Sequence, residues 1–344
     1  MATSWNGSAE ESHMTLITAL AFTVLWLLWS ISSYFRCRNR LPLPPGSFGF
    51  PVIGQTVEHL LALRTADGIR QWMQKQVDRH GPLFRFRFVG YPMVMMSQPE
   101  GNKFIFQNEG LSNHIFWPSH ISTMFGPHAV ITQSGERHKL VRRHLNRFFD
   151  RTAMSRYIHG VNRNAIRHFT NHWQGKEQLV ALDIINFFTG SCVWNLALSL
   201  EEGPLIVTLA LTIFYIAKNP HVYEQILHME NGLTMEDISA MKYTWGAIQE
   251  TLRLHPVLTG SYRKTVTDLE YEGYHIPKDW LFNWNSQHSH YNPKYFKDPF
   301  KFDPSRWEKR PPPFTYLPFG GGVHLCLGYE FARMEMLIFI HHLV

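Results

Sequence analysis

Hydrophobic and polar positions alternate along this chain in several distinct rhythms. Met14 to Phe35 is a run of 22 residues without a charge, sixteen of them apolar and the other six Ser or Thr. A helix rising about 1.5 Å per residue over such a run crosses a hydrocarbon core of about 30 Å. Glu10 and Glu11 precede it and no Lys or Arg does, whereas a cleaved signal peptide starts positive. The pattern predicts a lumenal segment over 1–13 and a transmembrane anchor over 14–35. Arg36, Arg38 and Arg40 follow, which by the positive-inside rule keeps the rest of the chain on the cytosolic side. Pro42, Pro44 and Pro45 then favour an extended spacer, so 36–54 reads as a basic, Pro-rich linker.

The remainder, 55–344, reads as one cytosolic body, mainly helical with a minor sheet. Val57 to Arg79 has helical periodicity. Leu83 to Met96 alternates as a strand pair around Gly90 and Tyr91. Gly135 to Phe149 predicts a basic helix. Leu205 to Ala217 is uncharged but too short to span a membrane, and predicts a fully buried helix. Thr234-Met-Glu-Asp237 has the form of a capped helix start. Lys242 to Leu254 predicts a helix stopped by Pro256. Tyr271-Glu-Gly-Tyr274 predicts a hairpin, and Tyr329 to Val344 a final helix.

Composition narrows the class. The chain has 344 residues, 14% of them aromatic and only 17% charged, which excludes a disordered tail. Its mean hydropathy of −0.20 argues against a multi-span transporter. The three cysteines, Cys37, Cys192 and Cys326, are too few for a disulfide framework or a four-cysteine zinc site. The net charge of +6 is local: Arg137 to Arg167 holds nine Lys or Arg against one acid, Asp150. No aromatic interleaving or nucleic-acid motif accompanies that run, so no nucleic-acid partner is expected. The twenty histidines contain no His-Glu-x-x-His, and no separate metal site is expected.

The most specific local chemistry is Phe319-Gly-Gly-Gly-Val-His-Leu-Cys-Leu-Gly328. Its glycines permit backbone angles closed to other residues, and Cys326 lies just ahead of a predicted helix, whose amino terminus favours a thiolate. A thiolate is a strong iron ligand. An inert cysteine in a tight turn and a thiol nucleophile using His324 as base are the alternatives that these residues leave open. Glu250 and Arg253 are three apart on one predicted helix, so their side chains are neighbours.

Phe319, Gly322, Cys326 and Gly328 match the Phe-x-x-Gly-x-Arg-x-Cys-x-Gly signature, and the chain resembles the cytochrome P450 haem-thiolate monooxygenases. Glu250-Thr-Leu-Arg253, Phe302-Asp-Pro-Ser-Arg-Trp307 and Gly135-Glu-Arg-His-Lys139 with Arg142 resemble further family segments in the family's order. The wording is most similar to the plant branch acting on sterols and terpenoids. The resemblance implies the P450 fold, haem b, and Cys326 as the catalytic thiolate and axial ligand of the haem iron. It implies cofactor contacts from Phe319, Gly322 and Gly328, and propionate contacts from His138, Arg142 and Arg263. His324 stands where the family carries Arg and is a weaker cation. Glu250, Arg253 and Arg306 are implied to form a buried triad beneath the haem. The family also implies an apolar small-molecule substrate, an endoplasmic-reticulum membrane location with a single span, and electrons from NADPH through NADPH–cytochrome P450 reductase. The basic face suits an acidic reductase.

The family's helix over the haem carries Gly-x-Asp/Glu-Thr, and this chain has no such match. Leu200-Glu-Glu-Gly-Pro-Leu205 instead leads directly into the apolar run. This places a seam near 203–205, with the substrate-roof helices missing, and the chain stops at Val344 before the family's closing strands. The expected fold is therefore an incomplete P450. Three functions follow as alternatives: a monooxygenase; a haem-thiolate isomerase or dehydratase that needs no oxygen activation; and an inactive, truncated haem-binding remnant.

Overall fold

Strands β1 (Leu83–Phe88) and β2 (Tyr91–Met96) pair antiparallel across a turn at Val89 and Gly90, both with positive φ. The turn falls one residue earlier than the Gly90–Tyr91 expected. This computed structural model describes residues 17, 20–28, 41–50, 53–65, 67–110, 113–126, 128–178, 180–195, 203–226 and 233–344. The described chain divides into two units, 1–44 with 268–276 and 45–267 with 277–344.

In the first unit residues 20–28 are helical. Most of the predicted anchor, and Cys37, lie outside the described residues. Among the described residues no single helix is long and apolar enough to cross a membrane. This unit also holds the hairpin of β5 (Leu269–Tyr271) and β6 (Tyr274–Ile276), turned at Glu272 and Gly273 as the sequence pattern requires.

The second unit combines a sheet with a helical body. The sheet runs β1-β2-β7-β4-β3, where β3 is Asn113–Ile115, β4 Gly260–Thr265 and β7 Leu281–Asn285. The β2–β7 pair is parallel and the others are antiparallel. All of β7 is buried, which explains its lack of alternation. Trp72, Met73, Phe84, Phe86, Met93, Met95 and Leu281 form the core on this side. Val57 to Arg79 is two helices rather than one, Thr56–Ala62 and Gly68–His80, separated by a turn in which Gly68 N–H donates to Thr65 O at 3.1 Å.

The helical body is built from Arg151–His172, Ala181–Asn195, Gly203–Lys218, Lys242–Leu254 and Tyr329–Leu343. Met154, Ile158, Val161 and Ala165 recur every three or four residues, one face of a helix, and meet Ile248, Leu252, Phe331, Met334 and Leu337 in one core. The Thr234–Asp237 capping box is formed as its spacing predicts. The apolar Gly203–Lys218 helix is not fully buried, contrary to expectation. Leu209 and Ile216 face the core, while Val207 and Phe214 are 41% and 48% exposed. Neighbouring Ala181–Asn195 likewise leaves Leu182 and Phe187 exposed. Among the described residues, protein packs against only one side of each helix, so their all-round apolarity goes unmatched there.

Candidate functional site

The 319–328 loop is tied by its own backbone: Cys326 N–H donates to Phe319 O at 2.9 Å. Gly320 and Gly322 have φ of 72° and 66°, a left-handed region that costs most residues about 1–2 kcal/mol. Phe319 packs edge-on against Tyr329, which opens the final helix, with centroids 4.8 Å apart. Gly328 differs from the expectation, because its φ of −82° is open to any residue. A Cβ there would meet nothing within 4 Å, so the loop has free space beside it.

Cys326 is exposed at this loop, yet surrounding protein desolvates its thiol enough to raise its pKa. The Gly328 N–H and the Arg142 charge oppose that rise without overcoming it. The Gly328 N–H at the helix start thus favours the thiolate as the sequence suggests, and burial outweighs it. A bound metal ion would shift the balance, since a coordinating thiol is deprotonated outright. Arg142 lies on the Gly135–Asn146 helix and its guanidinium donates to Leu325 O, one residue from Cys326.

The same helix buries a single residue, His138. Its ring lies 3.9 Å from that of His324, tilted by 33°. Burial lowers the pKa of both rings, to about 3 for His324, where His138, Arg263 and Arg142 add to the effect. His324 is thus neutral at pH 7 rather than a weak cation. It can contribute a hydrogen bond but not a charge.

Arg263 on β4 is 2% exposed. Its Nη1 donates to Ser261 Oγ at 2.7 Å and to Tyr262 O at 3.2 Å. Trp284 on β7 donates to the same Ser261 Oγ at 2.9 Å, which fixes the strand pair beneath the guanidinium. Arg263 Nε lies 2.6 Å from Glu109 Oε1, and His324 Nε2 lies 3.5 Å from the same oxygen. Glu109 is also 2% exposed. The Arg263 N–H does not point along the contact, so neither Glu109 oxygen nor Arg263 Nε has an aligned hydrogen bond. Burial raises the Glu109 pKa, against the lowering effect of Arg263. Glu109 carried no signal in the sequence. It is one acid in an isolated bridge to Asn113, far along the chain from Arg263.

Glu250, Arg253 and Arg306 come together as a second cluster. Arg253 grips both Glu250 oxygens at 2.8 and 2.9 Å, and Arg306 Nε reaches Oε1 at 2.9 Å. Asp303 N–H and Trp307 Nε1 complete the carboxylate's shell at 3.1 Å each. Arg253 also donates to the carbonyls of His290 and Pro299 at 2.8 and 2.7 Å. The His290 ring accepts from Leu317 N–H at 3.3 Å. Through His290 the ion cluster is thus connected to the chain entering the cysteine loop.

On the basic stretch, Arg143 and Arg147 are exposed, Lys139 pairs with Glu136 at 2.7 Å, and Asp150 caps the next helix through Ala153 N–H at 2.8 Å. On the Gly203–Lys218 helix, Thr208 and Thr212 donate to the carbonyls of Pro204 and Thr208 at 2.7 and 2.8 Å. Among the described residues this helix holds no carboxylate beside those alcohols.

Comparison with known proteins first defines the fold. The solved structure "Retinoic acid bound cyanobacterial CYP120A1" superposes with a TM-score of 0.75 at 24% identity, covering 87% of this chain and 91% of that one. The fold is therefore that of a P450, mainly helical with small sheets. The model of the family "Cytochrome P450" matches residues 44–199 and 204–344, and the chain belongs to that family of monooxygenase oxidoreductases. Similar plant proteins include a taxane 13-alpha-hydroxylase of Taxus cuspidata, 26% identical over 439 residues, with 95% of this chain and 90% of that protein covered. A beta-amyrin 28-monooxygenase of Barbarea vulgaris is 27% identical over 440 residues, with 95% and 91% covered. Both alignments are longer than this chain of 344 residues, so each relative carries residues with no counterpart here.

Proposed function

We propose that the chain is a haem-dependent monooxygenase that hydroxylates an apolar terpenoid-type substrate such as a sterol or triterpenoid. Electrons would come from NADPH through NADPH–cytochrome P450 reductase. The observation that carries this reading is Cys326, a solvent-reachable thiol on a backbone-tied loop at a helix start. When bound, haem b supplies the iron at which dioxygen is reduced for transfer of one oxygen atom. The protein's own tasks are to hold, orient and electrostatically match that group. Cys326 would hold the haem iron through its sulfur, and the Gly328 N–H and the Arg142 charge would temper the thiolate's negative charge. Arg263 and Arg142 match the propionates as cations, with His138 and His324 as neutral hydrogen-bonding partners. Phe319, Gly322 and Gly328 shape the loop. The unaligned Nε of Arg263, a donor, and the open space at Gly328 support a fit to a flat, carboxylate-bearing ligand.

The substrate class rests on the plant relatives named above. The anchor over 14–35, the linker over 36–54 and a body from 55 onward belong to the same reading. It places the protein in the endoplasmic-reticulum membrane, with its body in the cytosol and its basic face toward the reductase. The break in the family match between 199 and 204 supports a missing segment at 203–205.

A second reading is favoured by one observation. Among the described residues, Phe187 and Phe214 are 62% and 48% exposed on helices without an outer layer, and no carboxylate accompanies Thr208 and Thr212. This suits a haem-binding chain without turnover. Expression of the full chain in membranes with reductase separates the two. Reduced protein exposed to carbon monoxide is expected to show the red-shifted band of a thiolate-ligated haem, which Cys326→Ser abolishes. NADPH-dependent hydroxylation within a triterpene panel then supports the first reading, and the band without any product supports the second. Absence of the band with haem supplied overturns both.

A further inference from the structure

We propose that Ser289 and His290 are positioning residues for Cys326: side by side on one short helix, they clamp the chain that enters the cysteine loop and set the place of the sulfur relative to Arg263. This rests on the haem reading above and concerns two residues outside the segments that carry the family resemblance.

The clamp starts where β7 ends. The chain passes from Asn285, the last residue of β7, straight into the helix Ser286–His290. Asn285 Oδ1 accepts from His288 N–H at 3.2 Å, and Ser286 N–H donates to Thr259 O at 2.9 Å. These bonds fix the short helix to β7 and to the chain leading into β4. Its last two residues, Ser289 and His290, are fully buried. The Ser289 hydroxyl shares its one proton between Ser286 O and Thr315 O, each at 2.8 Å. His290 Nε2 accepts from Leu317 N–H at 3.3 Å. The pair therefore grips a carbonyl and an N–H two residues apart, just ahead of Phe319. From there the path to the sulfur is short. Leu317 O accepts from Gly320 N–H at 3.1 Å, and Phe319 O accepts from Cys326 N–H at 2.9 Å.

The same elements carry the cation. Arg263 on β4 lies opposite Phe282 on β7, and Trp284 and Arg263 both donate to Ser261 Oγ. A Cβ at Gly320 would lie 3.9 Å from the Trp284 ring, so the cysteine loop runs close against this strand pair. The clamp thus ties the loop that presents the sulfur to the strands that present the guanidinium. His290 is itself locked from behind. Its carbonyl accepts from Arg253 Nη1 at 2.8 Å, and its Nδ1–H points to Arg253 O at 3.2 Å. A ring bonded through both nitrogens cannot turn without leaving a buried polar group unpaired. A ring that merely filled space would use neither nitrogen. Ligating side chains keep their geometry when the groups behind them are locked by packing and hydrogen bonds. Ser289 and His290 are placed to do this for Cys326.

The test uses the full chain in membranes, loaded with haem, and reads the carbon monoxide band together with the midpoint reduction potential. His290→Phe keeps a ring of similar shape but accepts nothing from Leu317 N–H. Losing a buried bond of this kind favours a displaced loop by roughly tenfold or more. Most of the haem-loaded variant is therefore expected to lose the red-shifted band, and its potential to move positive as the thiolate's electron density is withdrawn. His290→Gln offers an amide oxygen to Leu317 N–H and is expected to keep the band in most of the protein, although it is less stable at pH 7. Ser289→Ala leaves His290 in place and is expected to lose part of the band. Phe188→Ala, a core change on the Ala181–Asn195 helix, is expected to lower stability in urea while the band and potential of its haem-loaded fraction stay as in wild type. A wild-type band and potential in His290→Phe overturn the inference. So does a loss of band that follows urea stability equally through His290→Gln, His290→Phe and Phe188→Ala, because that is the mark of general packing. Where His290→Phe takes up no haem, Ser289→Ala decides, and an unaltered band there overturns the inference too. Wild-type protein without the band, with haem supplied, fails the haem reading and this inference with it, whereas a wild-type band with unaltered variants fails this inference alone.

Discussion

Arg253 holds Glu250 through both carboxylate oxygens, at 2.8 and 2.9 Å, with neither side chain exposed to solvent. Three residues apart on one helix, such a pair would ordinarily sit in water and be worth a few tenths of a kcal/mol. Burial changes its meaning. Each charge has been taken from water, so each depends on its partners. Arg253 uses its planar fork for the carboxylate and its remaining N–H groups for the carbonyls of His290, Pro299 and Lys301.

Arg253→Met should therefore leave buried Glu250 with one of its two cations, Arg306, and cost about 3–5 kcal/mol of stability. Arg253→Lys keeps the charge but cannot reproduce the bidentate grip and the carbonyl bonds together, so it should recover only part of that loss. Urea unfolding followed by circular dichroism measures both. A loss below about 1 kcal/mol for Arg253→Met would mean that the cluster is not holding the fold in the way a buried, mutually dependent ion pair must.

The neighbouring His290 makes the acid limb of stability readable. Its Nε2 accepts from Leu317 N–H at 3.3 Å, so the ring proton sits on Nδ1 and points to Arg253 O at 3.2 Å. Complete burial and the Arg253 charge lower its pKa to about 3. The ordinary value of 6.5 applies once the chain unfolds. The unfolded form binds the proton first, so the stability that His290 contributes is fully present above pH 6.5 and is lost as pH falls from there toward 3. One linked proton corresponds to about 1.4 kcal/mol per pH unit within that window. His290→Gln should be less stable at pH 7, because two buried bonds change, yet show a shallower fall between pH 6 and pH 4. Equal slopes in urea titrations of the two proteins would rule out His290 as a contributor.

Much of this was legible in the sequence, and the reasons are physical. The Lys242–Leu254 helix lies where its apolar period and Pro256 place it. The Tyr271–Tyr274 hairpin and the Thr234 capping box are local devices whose residues are adjacent in the chain. Strand β7 was not anticipated, because burial on both faces erases alternation. Likewise Glu109 could not be found by spacing. Its partners, Arg263 and His324, lie in distant segments that the sheet and the cysteine loop bring together. Local pattern also reaches only part of the charge: the sequence gives His324 as a weaker cation than Arg, and burial takes it further, to a pKa of about 3.

The two apolar helices, which have no outer layer among the described residues, predict a solution property. Phe187 is 62% exposed on Ala181–Asn195, and Phe214 is 48% exposed on Gly203–Lys218. Their opposite faces supply Phe188 and Leu209 to the core, while Phe187 meets the ring of His172 at 4.9 Å and Phe214 the Lys218 ammonium at 4.4 Å, contacts outside that core. Exposed apolar surface of this kind drives association, because each ring leaves water when two surfaces meet. Phe187→Glu with Phe214→Gln should therefore lower self-association of detergent-solubilised protein in light scattering, while leaving the helical circular dichroism unchanged. The matched control is Phe188→Ala, a fully buried ring whose loss should cost about 3–5 kcal/mol and increase aggregation by destabilising the core. If the exposed-face pair and the core control behave alike, Phe187 and Phe214 are packed in solution and the helices have the outer layer that their composition demands.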